Sequence, residues 1–251
     1  MLKLNQIYNE DCLGERGMCL IPDKSVDMIL TDLPYEVTQN FWDSMLPLEE
    51  LWSEYKRVIK PNGAIVLTAQ QPFTTDLIVS NRKDFRYSLV WNKMASTGFL
   101  NANVMPLREH EDILVFYKSP PTYNPQKTRG NKNHSKRIVD RKQTTNYGKY
   151  AEVDNSEILG EWKYPTSIIS IPKVHPSKCL HPNEKPVPLM ESLIRTYTNE
   201  GDMVLDNCMG SGTTAVACIA TRRNFIGFEL DPEYHRIATE RIANVQAALF
   251  V

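Results

Sequence analysis

Four consecutive residues, Asp32-Leu33-Pro34-Tyr35, bring a carboxylate, a backbone carbonyl and an aromatic ring into one short stretch. Pro34 cannot continue a central strand, and it biases Leu33 toward an extended conformation, so the stretch ends whatever strand precedes it. A planar amine would fit this group: two acceptors take its hydrogens, and a ring covers the flat system that carries it. A strand followed by an ordinary Asp-Pro-type turn has the same local signature, so these four residues alone leave both readings open.

A second constellation runs from Asp206 to Glu229. Gly210 and Gly212 remove side chains where a ligand would lie against backbone at a helix amino terminus, and Thr213 follows them. Glu229 comes 19 residues after Gly210 at the end of the next apolar run, and suits a ribose diol. The segment also matches G-x-G-x-x-A, the nicotinamide nucleotide fingerprint. Two features argue against that cofactor. Asp206 puts an acid in the turn where a pyrophosphate would be repelled, and only about 22 residues follow Glu229, too few to finish a dinucleotide fold.

The third feature is a charge run. Residues 118–149 hold nine Lys or Arg against one acid, Asp140, although the whole chain has a net charge of −1. The run has few aliphatic residues and cannot build its own core. It is either a solvated loop or a surface for polyanions, and Tyr123, Tyr147 and Tyr150 interleave rings that suit stacking on bases.

These groups need elements to hold them. Val26, Met28, Ile29 and Leu30 form a buried-strand run that ends at Asp32. Apolar residues at helical spacing predict a helix from Pro47 to Lys60, stopped by Lys60-Pro61-Asn62-Gly63 as a turn. Further strands are expected at Ala64–Thr68, Tyr87–Trp91, Asp112–Tyr117, Met203–Asp206 and Phe225–Phe228, with a short one between residues 4 and 13. Further helices are expected at Phe73–Asn81, Val187–Thr198, Ala215–Thr221 and from Pro232 to the mid-240s. The sheet must be completed by strands that come before the glycine loop in sequence.

Composition sets the outer bounds. The 251 residues, 41% hydrophobic and 24% charged, are those of an ordinary globular protein able to bury a full core. No apolar run approaches the ~20 residues of a membrane span, and the first residues lack the apolar core of a signal peptide. The five cysteines, Cys12, Cys19, Cys179, Cys208 and Cys218, have no zinc-ligand spacing, and their odd number points to reduced thiols in a cytoplasm. No metal is expected.

Taken in order, Asp-x-Pro-Tyr, a basic insert, His181-Pro-Asn-Glu-Lys185-Pro, Asp206-x-x-x-Gly-Ser-Gly-Thr-Thr and Gly227-x-Glu229 resemble the β group of S-adenosylmethionine-dependent DNA amino-methyltransferases. The resemblance covers nearly the whole chain. Two departures are visible: Leu33 stands where Pro is commoner, and Asn207-Cys208 where the group has Pro-Phe. It implies an α/β, Rossmann-like class I methyltransferase fold, mostly parallel with helices on both faces and circularly permuted. Residues 1–117 would be the catalytic half, 118–180 a target-recognition insert, and 181–251 the cofactor half of the same domain.

The resemblance also implies roles. Asp32, Leu33, Pro34 and Tyr35 would act on the flipped base. Asp206, Gly210, Gly212 and Thr213 would shape the pocket around the methionine part of the cofactor, Glu229 would hold the ribose hydroxyls, Asp11 the adenine, and Lys185 would lie near the methionine end. Lys127, Arg129, Lys132, Lys136, Arg137, Arg141 and Lys142 would contact DNA. His110-Glu111 matches a signature read as structural. Asp first in the loop favours the 6-amino group of adenine, with the 4-amino group of cytosine as the alternative and a non-catalytic nucleic-acid-binding protein as the reading from another class. No Pro-Cys pair exists for attack on ring carbon 5 of cytosine. Expected partners are double-stranded DNA, with a paired restriction endonuclease and a second copy of the chain as further candidates, in a bacterial cytoplasm or encoded by a phage of such a host.

Overall fold

Val26, Met28, Ile29 and Leu30 are fully buried in a computed structural model that describes residues 2–34, 46–130, 161–175 and 177–248. In chain order the described elements begin with β1 (Gln6–Tyr8), β2 (Val26–Asp32), α1 (Leu48–Val58), β3 (Ile59–Ala69), α2 (Phe73–Ser80), β4 (Phe85–Thr97) and β5 (Arg108–Phe116). A short pair, β6 (Thr128–Arg129) and β7 (Trp162–Lys163), comes next. The chain continues through β8 (Ile168–Ser170), α3 (Val187–Tyr197), β9 (Met203–Asp206), α4 (Thr213–Ala220), β10 (Asn224–Phe228) and α5 (Pro232–Ala248).

Eight strands form one sheet in the order β1-β10-β9-β2-β3-β5-β4-β8. Its pairings are parallel except for those of β5, which runs antiparallel to β3 and β4. The near-continuous apolar strands follow from burial on both faces. Ile29, Leu67, Leu114 and Leu205 pack on one side with Leu51, Trp52 and Tyr55 of α1 and Phe73 and Leu77 of α2. Their neighbours Leu30, Val66, Val115 and Val204 pack on the other with Leu193 of α3, Ala217 of α4 and Ile242 of α5. This is the expected α/β doubly wound arrangement. From β9 the sheet grows outward through β10 and β1, and from β2 through β3, so the order reverses between β9 and β2. In such sheets a crevice opens at the carboxyl ends of the two strands on either side of that reversal.

The structure differs from the sequence reading in places. Helix α1 does stop at Val58, but Lys60–Gly63 is not a separate turn: β3 already runs from Ile59, and these residues are absorbed where Val26 pairs with Ile59 and Met28 with Ala64. The local Pro-Asn-Gly signal marks a bulge, because pairing with β2 resumes on both sides of it. Strand β4 extends well past Trp91 to Thr97, and β8 was not anticipated. That short strand pairs with Val90–Asn92 of β4, so residues 168–170 belong to the main sheet although the expected boundaries put them in the insert.

The chain divides into two compact units, Met1–Asn124 with Ser167–Val251, and Pro125–Thr166. Within the smaller unit β6 and β7 pair antiparallel, Arg129 opposite Trp162. Among the described residues no helix is long and apolar enough to cross a membrane, and no group of His, Cys, Asp and Glu could hold a metal ion.

Candidate active site

Asp32 is the last residue of β2, and its carboxylate is held from two sides. Thr68, its partner residue on β3, donates its hydroxyl to Oδ1. Lys185 places its Nζ 2.5 Å from Oδ2. The Lys185 side chain is only 6% exposed. Burial works against its ammonium, but Asp32 and Glu111 outweigh that and hold it above the ordinary lysine value. Leu33 packs in the core cluster and, with Pro34, also lines the crevice. Leu33, which stands where the resembled group more commonly has Pro, is anchored here by apolar burial. Tyr35 lies outside the described residues.

Beside it, β9 ends at Asp206. Burial pushes this carboxyl up to about 6, against the opposing pull of the Thr214 hydroxyl and the Cys208 N–H, which donates to Oδ1 at 3.0 Å. The loop that follows is fixed where the family pattern is broken: Tyr55 of α1 donates to the Asn207 side-chain oxygen at 2.5 Å, and Asn207 Nδ2 faces Cys12 and Cys208. Burial pushes the Cys12 thiol up to about 11 and that of Cys208 well above its ordinary value, so neither offers a thiolate nucleophile.

Gly212, with φ +82°, starts α4. A Cβ there would come within 3.0 Å of the Cβ of Ala238 on α5. The glycine is therefore demanded by backbone conformation and by helix packing, and it is not among the residues that line the crevice, whereas Gly210 and Thr213 are.

Glu229, just past β10, accepts the Gly210 N–H at 2.7 Å on one oxygen and the Asp231 N–H at 2.9 Å on the other. Burial raises its carboxyl; these two amides pull it back. Each oxygen keeps a lone pair for a hydroxyl donor. Asp11 is brought to the same rim by Asn9, whose side chain donates to the carbonyls of Glu229 and Leu230 at 2.8 and 3.0 Å.

His181 and Tyr234 close one wall, their rings edge to face with centroids 4.3 Å apart. Burial lowers His181, which favours a neutral ring. Arg241 on α5, which the sequence did not single out, ties the walls together. Its guanidinium lies 2.9 Å from Glu184 of the His-Pro-Asn-Glu-Lys-Pro segment and donates to the Ser211 carbonyl at 3.1 Å and the Thr213 hydroxyl at 3.2 Å.

The crevice thus gathers Asp11, Asp32, Leu33, Pro34, Lys185, Asp206, Gly210, Thr213 and Glu229. One acid, Glu229, for a diol and a second, Asp206, for an ammonium, with Gly210 between them on the same lining, fit a nucleoside carrying an amino acid. Of the predicted DNA contacts, Lys127 and Arg129 are described and lie in the smaller unit, while Lys132, Lys136, Arg137, Arg141 and Lys142 lie outside the described residues. The structure adds two rings there: Lys127 Nζ sits 4.8 Å from the Tyr164 ring centre and the Arg129 guanidinium 5.5 Å from that of Trp162.

Residues 26–240 match the model of a family described as DNA methylase. Type II methyltransferase M.BglII of Bacillus subtilis is 31% identical over 94% of this chain and 68% of its own length. DNA adenine methyltransferase YhdJ of Escherichia coli (strain K12) is 28% identical over 94% of this chain and 82% of its own. The crystal structure of an M1.HpyAVI–SAM complex superposes with a TM-score of 0.62 at 27% identity, covering 94% of this chain and 98% of that one. The chain therefore belongs to the DNA methylase family, the S-adenosylmethionine-dependent enzymes that methylate exocyclic N6 or N4 amino groups of DNA bases.

Proposed function

We propose that the protein methylates the 6-amino group of an adenine extruded from double-stranded DNA. The observation that carries this reading is Asp32. A carboxylate braced by Thr68 and Lys185 shares one crevice with the Glu229 and Asp206 that suit the cofactor. Asp, rather than Ser, in first place of the loop is what favours adenine over the 4-amino group of cytosine. Asp206 would hold the cofactor's ammonium, Glu229 its ribose hydroxyls and Asp11 its base, and Gly210, Ser211 and Thr213 would line its methionine part. When bound, the cofactor supplies an electrophilic methyl group.

The chain's own residues do the rest by placement and electrostatics. An exocyclic amine is a poor nucleophile because its lone pair is delocalised into the ring. Asp32 would accept one of its hydrogens and the Leu33 carbonyl the other, favouring a pyramidal nitrogen with a localised lone pair. Tyr35 would stack on the base. Extrusion costs a few kcal/mol, and stacking returns roughly 1–3 kcal/mol of that. The smaller unit, with Lys127, Arg129 and their paired rings, would belong to a target-recognition insert that meets the DNA.

The test is a digest. DNA incubated with the full chain and methyl-labelled cofactor is hydrolysed to nucleosides and separated. Label in N6-methyladenine is expected. Label in N4-methylcytosine would overturn the base assignment, and a folded, cofactor-bound protein that transfers nothing would overturn the reading as a whole.

A further inference from the structure

Four charged side chains form a chain that runs from the crevice wall, at Asp32 and Lys185, to Glu111 and Lys93 behind it. Lys93 of β4 lies 3.4 Å from Oε1 of Glu111 on β5, Glu111 Oε2 lies 3.3 Å from Lys185, and Lys185 lies 2.5 Å from Asp32. Lys93, Glu111 and Lys185 are 6%, 14% and 6% exposed. Buried ion pairs contribute little net stability, because desolvation offsets their attraction. Such a chain therefore calls for a reason beyond holding the sheet together. Glu111 does not line the crevice, so it can act there only through another residue.

We propose that Glu111 is a positioning residue for methyl transfer: it holds the Lys185 ammonium against Oδ2 of Asp32 and so fixes the carboxylate that meets the amine. The proposal rests on the reading of Asp32 given above. A lysine is a compact charge on a flexible four-carbon stem, and one anion does not fix where that charge points. Anions on two sides do. Glu111 is fixed in turn by Lys93, whose Nζ also reaches the Thr97 hydroxyl at 3.2 Å. The His110-Glu111 pair thus gains a role that reaches the site.

The consequence is a pH signature. Among the described residues, the charged and titratable groups facing Lys185 are Asp32 from β2, Glu111 from β5 and the His181 ring from its own segment, with Lys93 behind Glu111. Burial disfavours the ammonium and the two carboxylates restore it. Without the charge of Glu111, Asp32 is the one carboxylate among the described residues left to oppose burial, and Lys185 loses its proton at a lower pH.

Single-turnover methyl transfer by the full chain is measured across pH for wild type, Glu111→Gln and Glu111→Asp. Unfolding and calorimetric cofactor binding without DNA serve as controls. Glu111→Gln should slow transfer roughly 10- to 100-fold, the loss common when a supporting partner is removed, and should move the alkaline limb down by about one pH unit. Cofactor affinity should stay within about twofold, and Glu111→Asp should restore most of the alkaline limb. A folded Glu111→Gln protein with the wild-type rate and limb overturns the proposal, as does Glu111→Asp with the same limb as Glu111→Gln. If Glu111→Gln does not fold, Lys93→Met, which removes the other anchor of Glu111, decides instead: slowed transfer with unchanged cofactor affinity supports the proposal and a wild-type rate overturns it. Asp32→Ala separates the two levels. If it methylates normally, the underlying reading fails; if it is inactive while Glu111→Gln is unaffected, only the role of Glu111 fails.

Discussion

Asp32 has a hydroxyl on one oxygen and an ammonium on the other, an arrangement that holds an acceptor still. Its hydrogen bond to the amine would tighten as the nitrogen pyramidalises, so its loss is felt in the transition state. Asp32→Ala is expected to lower single-turnover methylation about 100- to 1000-fold, with DNA affinity little changed; transfer at the normal rate would exclude the role. Glu229→Ala should weaken cofactor binding by about 1.5–3 kcal/mol, as for hydrogen bonds to a charged group, and calorimetry without DNA reads that directly. Asp206 adds a pH dependence. Its carboxyl is held up to about 6, so it is ionised above that value and becomes neutral as the pH falls through it. If it pairs with the cofactor's ammonium, affinity should drop below about pH 6, and Asp206→Asn should flatten that drop. That Asp32, Asp206 and Glu229 stand at the ends of strands was legible in the sequence because each ends an apolar run, whereas the roles proposed for them came from the resemblance. Glu111 and Arg241 were not legible in this way, since their partners are set by strand register and helix packing across distant parts of the chain.

Among the elements, α5 does more than cover the sheet. Arg241 joins it to the glycine loop and to Glu184, whose side chain is 4% exposed. Arg241→Met leaves that carboxylate buried without its guanidinium. The expected cost is roughly 2–4 kcal/mol of stability, at the lower end of what breaking a buried pair costs because Arg241 is partly exposed. Urea unfolding should show a lower midpoint with an unchanged slope, and a midpoint equal to wild type would mean that the clamp contributes nothing. The elements themselves were largely readable, since buried strands and amphipathic helices carry their period in the sequence. The failures have a common cause. Lys60–Gly63 and β8 are decided by pairing with another strand, and local propensity does not report that.

At the scale of the whole molecule, the smaller unit can be tested on its own terms. Trp162 and Tyr164 are about half exposed and carry cations over their faces. Trp162→Ala is expected to weaken DNA binding by roughly 1–3 kcal/mol, and Arg129→Ala to lower the log–log salt slope by about 0.9 if that guanidinium meets one phosphate. Cofactor affinity should be untouched by both. Wild-type affinity and slope in both variants would mean that this ribbon does not touch DNA. The basic composition had pointed to this region, but which rings stand beside which cations depends on a strand pairing the sequence did not disclose.

The adjacency of β2 and β9 has a consequence for how the chain is made. These neighbours are separated in sequence by most of the protein, so β2 leaves the ribosome long before the strand that covers its flank. At about 5–20 residues per second the interval is on the order of 10–30 s. Throughout it, a strand carrying Val26, Met28, Ile29 and Leu30 presents an unpaired apolar edge, the kind of template that recruits other chains. Nascent molecules should therefore aggregate at high expression rates or depend on a chaperone over this window. Slowing initiation or lowering temperature should raise the soluble yield without any change in the stability of the finished protein.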